Sequence, residues 1–183
     1  YSFERSFHRG SATQTFSTPI DHVTYTAVYT ETNAITLTWE VWNNLSGLNV
    51  SSIPLNSPPD EITGILNFES PSNMGDNYGS RIRGYIHPPS SGNYTFWIAS
   101  DDRSELWLST DDNPANKVRI ASVSGFTGIR QWDKYPTQRS SPVALVGGRT
   151  YYIEALHKEA AGIDHVAVGW QLPNGAFERP IPG

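Results

Sequence analysis

Two adjacent carboxylates, Asp101 and Asp102, stand in the run Ser100-Asp101-Asp102-Arg103-Ser104, where an alternating apolar stretch breaks off. Successive strand side chains point to opposite faces, so neighbouring Asp residues grip one cation only where the backbone between them leaves extended trans geometry, through a sharp or cis peptide. A solvated β-turn is the plainer reading of the same two residues. A second cluster lies between Leu156 and Val166, which reads as a loop joining two strands and holds His157, Glu159, Asp164 and His165 around Gly162. In a sandwich this loop can close at the same end as Asp101 and Asp102, with Glu159 or Asp164 completing an oxygen cage. Calcium takes 6 to 8 oxygens at about 2.3 to 2.6 Å and accepts backbone carbonyls, which suits a Gly-containing loop.

Other chemistries find less support. With no cysteine there is no thiolate nucleophile, thiolate metal site or disulfide. A zinc site needs His157 and His165 to converge across a turn, with no third imidazole near them. The EF-hand pattern, the nucleophile elbow, the zinc-protease helix and the phosphate-cradling glycine loop are all absent. A glycosidase pair would have to combine Glu105 with Glu154 or Glu159, yet Glu105 and Glu154 alternate with apolar neighbours and read as outward strand residues. Asp111-Asp112 precedes Asn113-Pro114 and reads as a turn built by Asx side chains. Trp132 and Tyr135, in a long polar stretch from Ser122 to Ser141, offer flat rings that stack on sugars or else form a satellite core.

The elements that must position these residues are strands. Period-two alternation marks Val23 to Tyr29 and Ile35 to Val41, which read as a hairpin turning near Glu31-Thr32-Asn33. Further strands follow at Ser80 to Ile86, Tyr94 to Ala99, Glu105 to Leu108, Lys117 to Ala121, Val143 to Val146, Tyr151 to Leu156 and Val166 to Trp170. Between Asn43 and Asp60 the Asn, Ser and Pro density gives a packed loop pinned by Leu45, Leu48, Val50, Ile53 and Leu55. The chain has 183 residues, 12% aromatic and 17% charged, with 15 Gly and 13 Pro, which favours a turn-rich β domain over a helical bundle. The expected fold is all-β: an antiparallel β-sandwich, one domain over 1–183, with long functional loops at one end.

A formal net charge of −5 without a basic run supplies no counterion-release term, so nucleic acid and anionic membranes are not expected partners. No apolar run approaches the roughly 20 residues of a spanning helix, so no membrane insertion is expected. The chain runs from Tyr1 to Pro-Ile-Pro-Gly and reads as a module tethered to other domains of a longer chain.

Several runs, taken in order, resemble the protective-antigen domain family, β-sandwich modules found in adhesins, flocculin-type lectins, glycosidases and toxins. They are Trp39-Glu-Val-Trp42, Tyr78 to Ile86, Ser91 to Asp102, Glu105 to Ser109, Gly147 to Ala155 and Val166 to Trp170. The likeness covers about residues 39–182 and leaves 1–38 as an additional β segment. In the lectin branch two consecutive Asp residues joined by a cis peptide hold a calcium that coordinates vicinal sugar hydroxyls, and Asp101 and Asp102 occupy the matching place. The second calcium loop of that branch corresponds to His157 to His165. Flocculin-type members use an Asn there and this loop has none, which leaves Glu159 and Asp164 as substitutes, with Gly162 and Ile163 offering carbonyls. Arg103, His157, Lys158, His165 and Trp132 are then the expected sugar contacts. The resemblance implies a calcium-dependent lectin module, extracellular or at the cell surface, that binds carbohydrate and is not an enzyme. The alternative is a calcium-stabilised spacer or protein-interaction module. Asn44, Asn49 and Asn93 lie in Asn-X-Ser/Thr sequons, which are acceptors only in a secretory eukaryote.

Overall fold

The computed structural model describes residues 13–17, 24–28 and 37–182. Strands β1 (Thr13–Ser17) and β2 (Thr24–Val28) form an antiparallel pair that is a unit of its own, with Thr13 opposite Val28 and Ser17 opposite Thr24. The other unit contains β3 (Leu37–Trp42), β4 (Glu61–Ile65), β5 (Tyr78–Ile86), β6 (Gly92–Asp101) and β7 (Arg103–Ser109). It continues with β8 (Lys117–Val123), β9 (Val143–Leu145), β10 (Tyr151–Glu159), β11 (His165–Gln171) and β12 (Phe177–Glu178). Two antiparallel sheets result, in the orders β4-β3-β5-β10-β7-β8 and β12-β11-β6-β9. Among the described residues helical structure is confined to three 3-10 turns, and no helix is long and apolar enough to cross a membrane.

Alternation puts Leu37, Trp39, Ile82, Leu106, Ile153 and Ala155 of the larger sheet against Tyr94, Phe96, Ile98, Val166, Val168 and Trp170 of the smaller one. These side chains are buried and form the main core. A smaller core lies on the other side of the larger sheet, where Leu45, Val50, Ile53 and Leu55 of the irregular 43–60 segment pack on Trp42, Trp107 and Leu156. The approach is close: a Cβ on Gly79 of β5 would stand 2.7 Å from Ile53 Cγ1, so this strand position has room for glycine alone.

The structure alters two sequence readings. β2 and β3 are both strands, but they do not pair: β2 lies against β1, and β3 lies between β4 and β5. The expected turn at residues 31–33 lies outside the described residues. Alternation fixes which face a strand buries, whereas its hydrogen-bonding neighbour is set by the topology of the whole sheet. β10 also runs three residues past Leu156, because Lys158 pairs with Arg103 of β7 and Glu159 with Tyr78 of β5. Pairing on both sides outweighs the polar character that makes this stretch read as loop.

Candidate metal centre

Asp101 ends β6, Asp102 precedes β7, and Glu159 ends β10, so three strands bring these carboxylates to one end of the sandwich. One oxygen from each lies within 4.8 Å of the others. The Asp101–Asp102 peptide bond is cis. The carboxylates are also tied into the backbone: Asp102 N–H donates to Glu159 Oε2 at 3.0 Å, and Ala160 N–H donates to Asp102 Oδ2 at 3.1 Å. Glu159 Oε1 is buried with no hydrogen-bond partner among the described residues. A buried carboxylate oxygen without a donor is costly by itself and is satisfied by a cation.

The electrostatics agree with that reading. Burial, followed by the charge of Asp102, pushes the Glu159 carboxyl up to about 7. Burial and then Asp102 also raise Asp101. Like charges gathered in a partly dry place favour protonation, or else the arrival of positive charge. With oxygen ligands alone, one of them stripped of donors, the set fits a hard cation such as calcium.

The residues around the cluster hold it rigid. Ser100 Oγ donates to Asp102 O at 2.7 Å and lies 2.7 Å from Ser104 Oγ. Thr127 accepts from Ser100 N–H through Oγ1 at 3.1 Å and returns its own N–H to Ser100 O at 2.7 Å, which bolts the 124–142 loop beside the pair. His157 Nε2 meets Asp101 O at 2.7 Å, and its Nδ1 lies 3.4 Å from Ser80 Oγ. A carbonyl only accepts, so Nε2 carries the proton. Burial lowers this imidazole to about 4, and it stays neutral.

The sequence candidates separate into two groups. Asp101, Asp102 and Glu159 come together, while Asp164 lies outside that group, although its charge is among those that raise Asp101 and Glu159. It is buried, and its Oδ2 accepts from the backbone N–H of Met74 at 2.6 Å and Gly75 at 3.1 Å. Gly162 and Ile163 lie exposed in the short loop that follows β10. The expectation that His157, Lys158 and His165 touch sugar does not fit their positions. All three are buried strand residues: the Lys158 ammonium donates to Glu159 O and His165 Nε2 lies 3.2 Å from Thr127 O. Arg103 faces the outer side of the larger sheet with Glu105 and Trp107, while Trp132 is half-buried with the Arg179 guanidinium 5.8 Å from its ring.

Three other readings come out as follows. Asp111 accepts from Asn113 N–H at 2.9 Å and from the Asn116 amide at 2.7 Å, the expected Asx turn. Glu105 pairs with Arg119 at 2.8 Å. Glu154 lies on the outer face yet is fully buried, held by Lys117 at 3.0 Å and the Tyr152 hydroxyl at 2.6 Å. Sequence reasoning missed the 73–77 loop, whose Asp76 accepts from Gly162 N–H at 3.1 Å and whose Asn77 N–H donates to Ala160 O at 2.9 Å. The clustering of Asn and Gly in Asn73-Met-Gly-Asp-Asn77, where Asn73, Gly75 and Asn77 take positive φ, was the available signal.

Comparison with known proteins places this arrangement. The mouse (Mus musculus) N-acetyl-beta-glucosaminyl-glycoprotein 4-beta-N-acetylgalactosaminyltransferase 1 is 46% identical over 109 residues, 56% of this chain and 10% of that protein. Mouse fibrocystin-L is 34% identical over 161 residues, 79% of this chain and 4% of that protein. The chain thus spans a tenth or less of the length of these relatives. Among solved structures, the PA14 sugar-binding domain from an RTX adhesin matches with a TM-score of 0.59 at 16% identity, covering 82% of this chain and 99% of that one. The Epithelial Adhesin 9 A domain from Candida glabrata, in complex with Galb1-4GlcNAc, matches with a TM-score of 0.57 at 15% identity, covering 81% and 88%. Identities this low speak for the fold. The PA14 domain profile matches residues 36–182, the whole sandwich from β3 onward, and the chain belongs to the PA14 domain family.

Proposed function

We propose that this chain is a calcium-dependent carbohydrate-binding module of a larger secreted or cell-surface protein, with no catalysis of its own. The observation that carries the reading is the convergence of Asp101, Asp102 and Glu159 at one end of the sandwich, with Glu159 Oε1 buried and unpartnered. Asp101, Asp102 and Glu159 hold the ion, and exposed Gly162 and Ile163 offer backbone carbonyls from the adjoining loop. A bound calcium would supply coordination positions for vicinal sugar hydroxyls. The half-buried Trp132 ring, in the loop bolted to Ser100, offers a flat surface on which a sugar can stack. Glu105 and Glu154 are committed to Arg119 and Lys117, which leaves neither free for glycoside hydrolysis.

Support for a larger parent protein comes from the small share of each long relative that the chain covers. Sugar binding draws support from the likeness in fold to a sugar-binding domain of an RTX adhesin and to an epithelial adhesin in complex with Galb1-4GlcNAc. The test is a glycan array probed with calcium and again with chelator. Binding that appears with calcium and vanishes with chelator is the expected result, and an array unchanged by chelator refutes it.

One observation favours a second reading, a calcium-stabilised spacer. His157, Lys158 and His165 are buried, and the loops around Asp164 expose apolar side chains instead, Ile163 at 59% and Met74 at 47%. A spacer would show a calcium-dependent melting temperature and an empty array.

A further inference from the structure

On the outer side of the larger sheet an open depression of about 360 Å³ lies between the 48–51 segment and edge strand β8. Its volume is within the roughly 300–1,000 Å³ of small-molecule sites, and Leu48, Val50 and Val123 give its wall an apolar part beside the polar one. Asn49, Ser51, Arg103, Glu105, Arg119 and Ser122 line it. Strand alternation turns Arg103 and Glu105 to this face, while Ser104, Leu106 and Leu108 turn to the buried side.

The charges of the wall are unevenly used. Both Glu105 oxygens are engaged: Arg119 Nη1 donates to Oε1 at 2.8 Å and the Trp107 indole to Oε2 at 3.2 Å. Arg103 makes no side-chain hydrogen bond and no ion pair among the described residues, although it is half-buried. Two guanidinium groups against one carboxylate leave the wall one net positive charge, in a protein whose formal net charge is −5. A planar guanidinium with open N–H groups matches a carboxylate, and the serine hydroxyls and the Asn49 amide around it match a body bearing hydroxyls.

We propose that this depression is a second binding site, for a carboxylate-bearing sugar such as a uronic or sialic acid unit, independent of any metal at Asp101 and Asp102. Arg103 takes the carboxylate, and Asn49, Ser51 and Ser122 take ring hydroxyls. The sugar half of the proposal rests on the carbohydrate-binding reading above, while the anion half does not.

The test is a titration of the whole chain with glucuronate, followed by ¹H–¹⁵N NMR in chelator, with acetate and glucose as comparison probes. Glucuronate should shift the amides of residues 49–51, 103–105, 119 and 122–124, bind more tightly than acetate or glucose, and weaken with added salt. Arg103→Gln should weaken glucuronate about tenfold. Glu105→Gln, which releases Arg119 and removes the opposing charge, should tighten it several-fold. Unchanged affinity in both variants, or shifts confined to other residues, overturns the site, and acetate equal to glucuronate overturns the sugar half. Chelator is present throughout, so failure of the calcium site leaves this readout untouched.

Discussion

Glu159→Gln exchanges a buried carboxylate for an amide of nearly the same shape, and its effect on stability should change sign with calcium. The amide oxygen can still accept from Asp102 N–H, as Glu159 Oε2 does at 3.0 Å. In the metal-free protein, burial and the neighbouring Asp charges raise this carboxyl from 4.5 to about 7. At about 1.36 kcal/mol per unit the shift corresponds to about 3 kcal/mol, and about 2 kcal/mol once solvent screening at half-buried Asp101 and Asp102 is allowed for. A folded-state value above the unfolded one means that the contribution is fully present below about pH 4.5 and lost as pH rises through 7. At pH 8 in chelator the Gln variant should therefore be more stable than the parent by about 2 kcal/mol. Calcium at a hundredfold excess over the parent's Kd adds about 2.7 kcal/mol to the parent and only about 0.4 kcal/mol to a variant that binds it a hundredfold more weakly, so the order should reverse. Urea unfolding followed by Trp fluorescence, at pH 5 and pH 8 with chelator or calcium, reads all four states. A variant less stable than the parent in chelator at pH 8, or equal calcium stabilisation of both, refutes the reasoning.

Asp101→Asn and Asp102→Asn should each lower calcium affinity in calorimetry while Asp111→Asn leaves it unchanged, and equal effects at Asp101 and Asp111 would mean the wrong pair was chosen. Trp132→Ala should weaken glycan binding and spare calcium affinity. A stability loss of about 3 kcal/mol in that variant would assign the ring to the core instead. His157 is neutral when folded, with its value lowered from 6.5 to about 4, so its contribution is present above pH 6.5 and lost as pH falls toward 4. Measured in the Glu159→Gln background, where the opposing titration is gone, that loss should approach about 3 kcal/mol and be absent in His157→Asn.

How much of this was legible in the sequence depended on the scale of the signal. Alternation in Tyr94 to Ala99 and Tyr151 to Leu156 gave the strands, and the break at Asp101-Asp102 marked two members of the carboxylate cluster, because side-chain direction is a local property. The strand character of His157 and Lys158 was not legible, since it comes from simultaneous pairing with β5 and β7, as with His157 between Ser80 and Ser104, and that of Glu159 comes from pairing with the distant Tyr78 of β5. The partners of Asp164 were hidden for the same reason. Its role as acceptor for Met74 and Gly75, 90 and 89 residues distant, is a long-range contact with no local signature. Glu154 reads as outward from its neighbours, and so it is, but the charge and aromatic layer that buries it is assembled from Lys117 and Tyr152.

The small core under the 43–60 segment makes the protein thermodynamically uneven. Trp42, Trp107 and Leu156 are covered there by a stretch of chain that belongs to neither sheet and whose one regular element is the turn at Val50–Ser52. Such a flap can lift without unzipping a strand, so its amides should exchange through partial openings, whereas those of β10, hydrogen-bonded on both sides, wait for the whole sandwich to open. The flap is also wired to the metal end: Leu45 N–H donates to Asn77 O at 2.6 Å, and Asn77 N–H donates to Ala160 O at 2.9 Å, one residue beyond Glu159. Each opening that breaks this relay frees the turn that carries Ala160, so an ion that rigidifies the turn should slow hydrogen exchange in a segment it never touches.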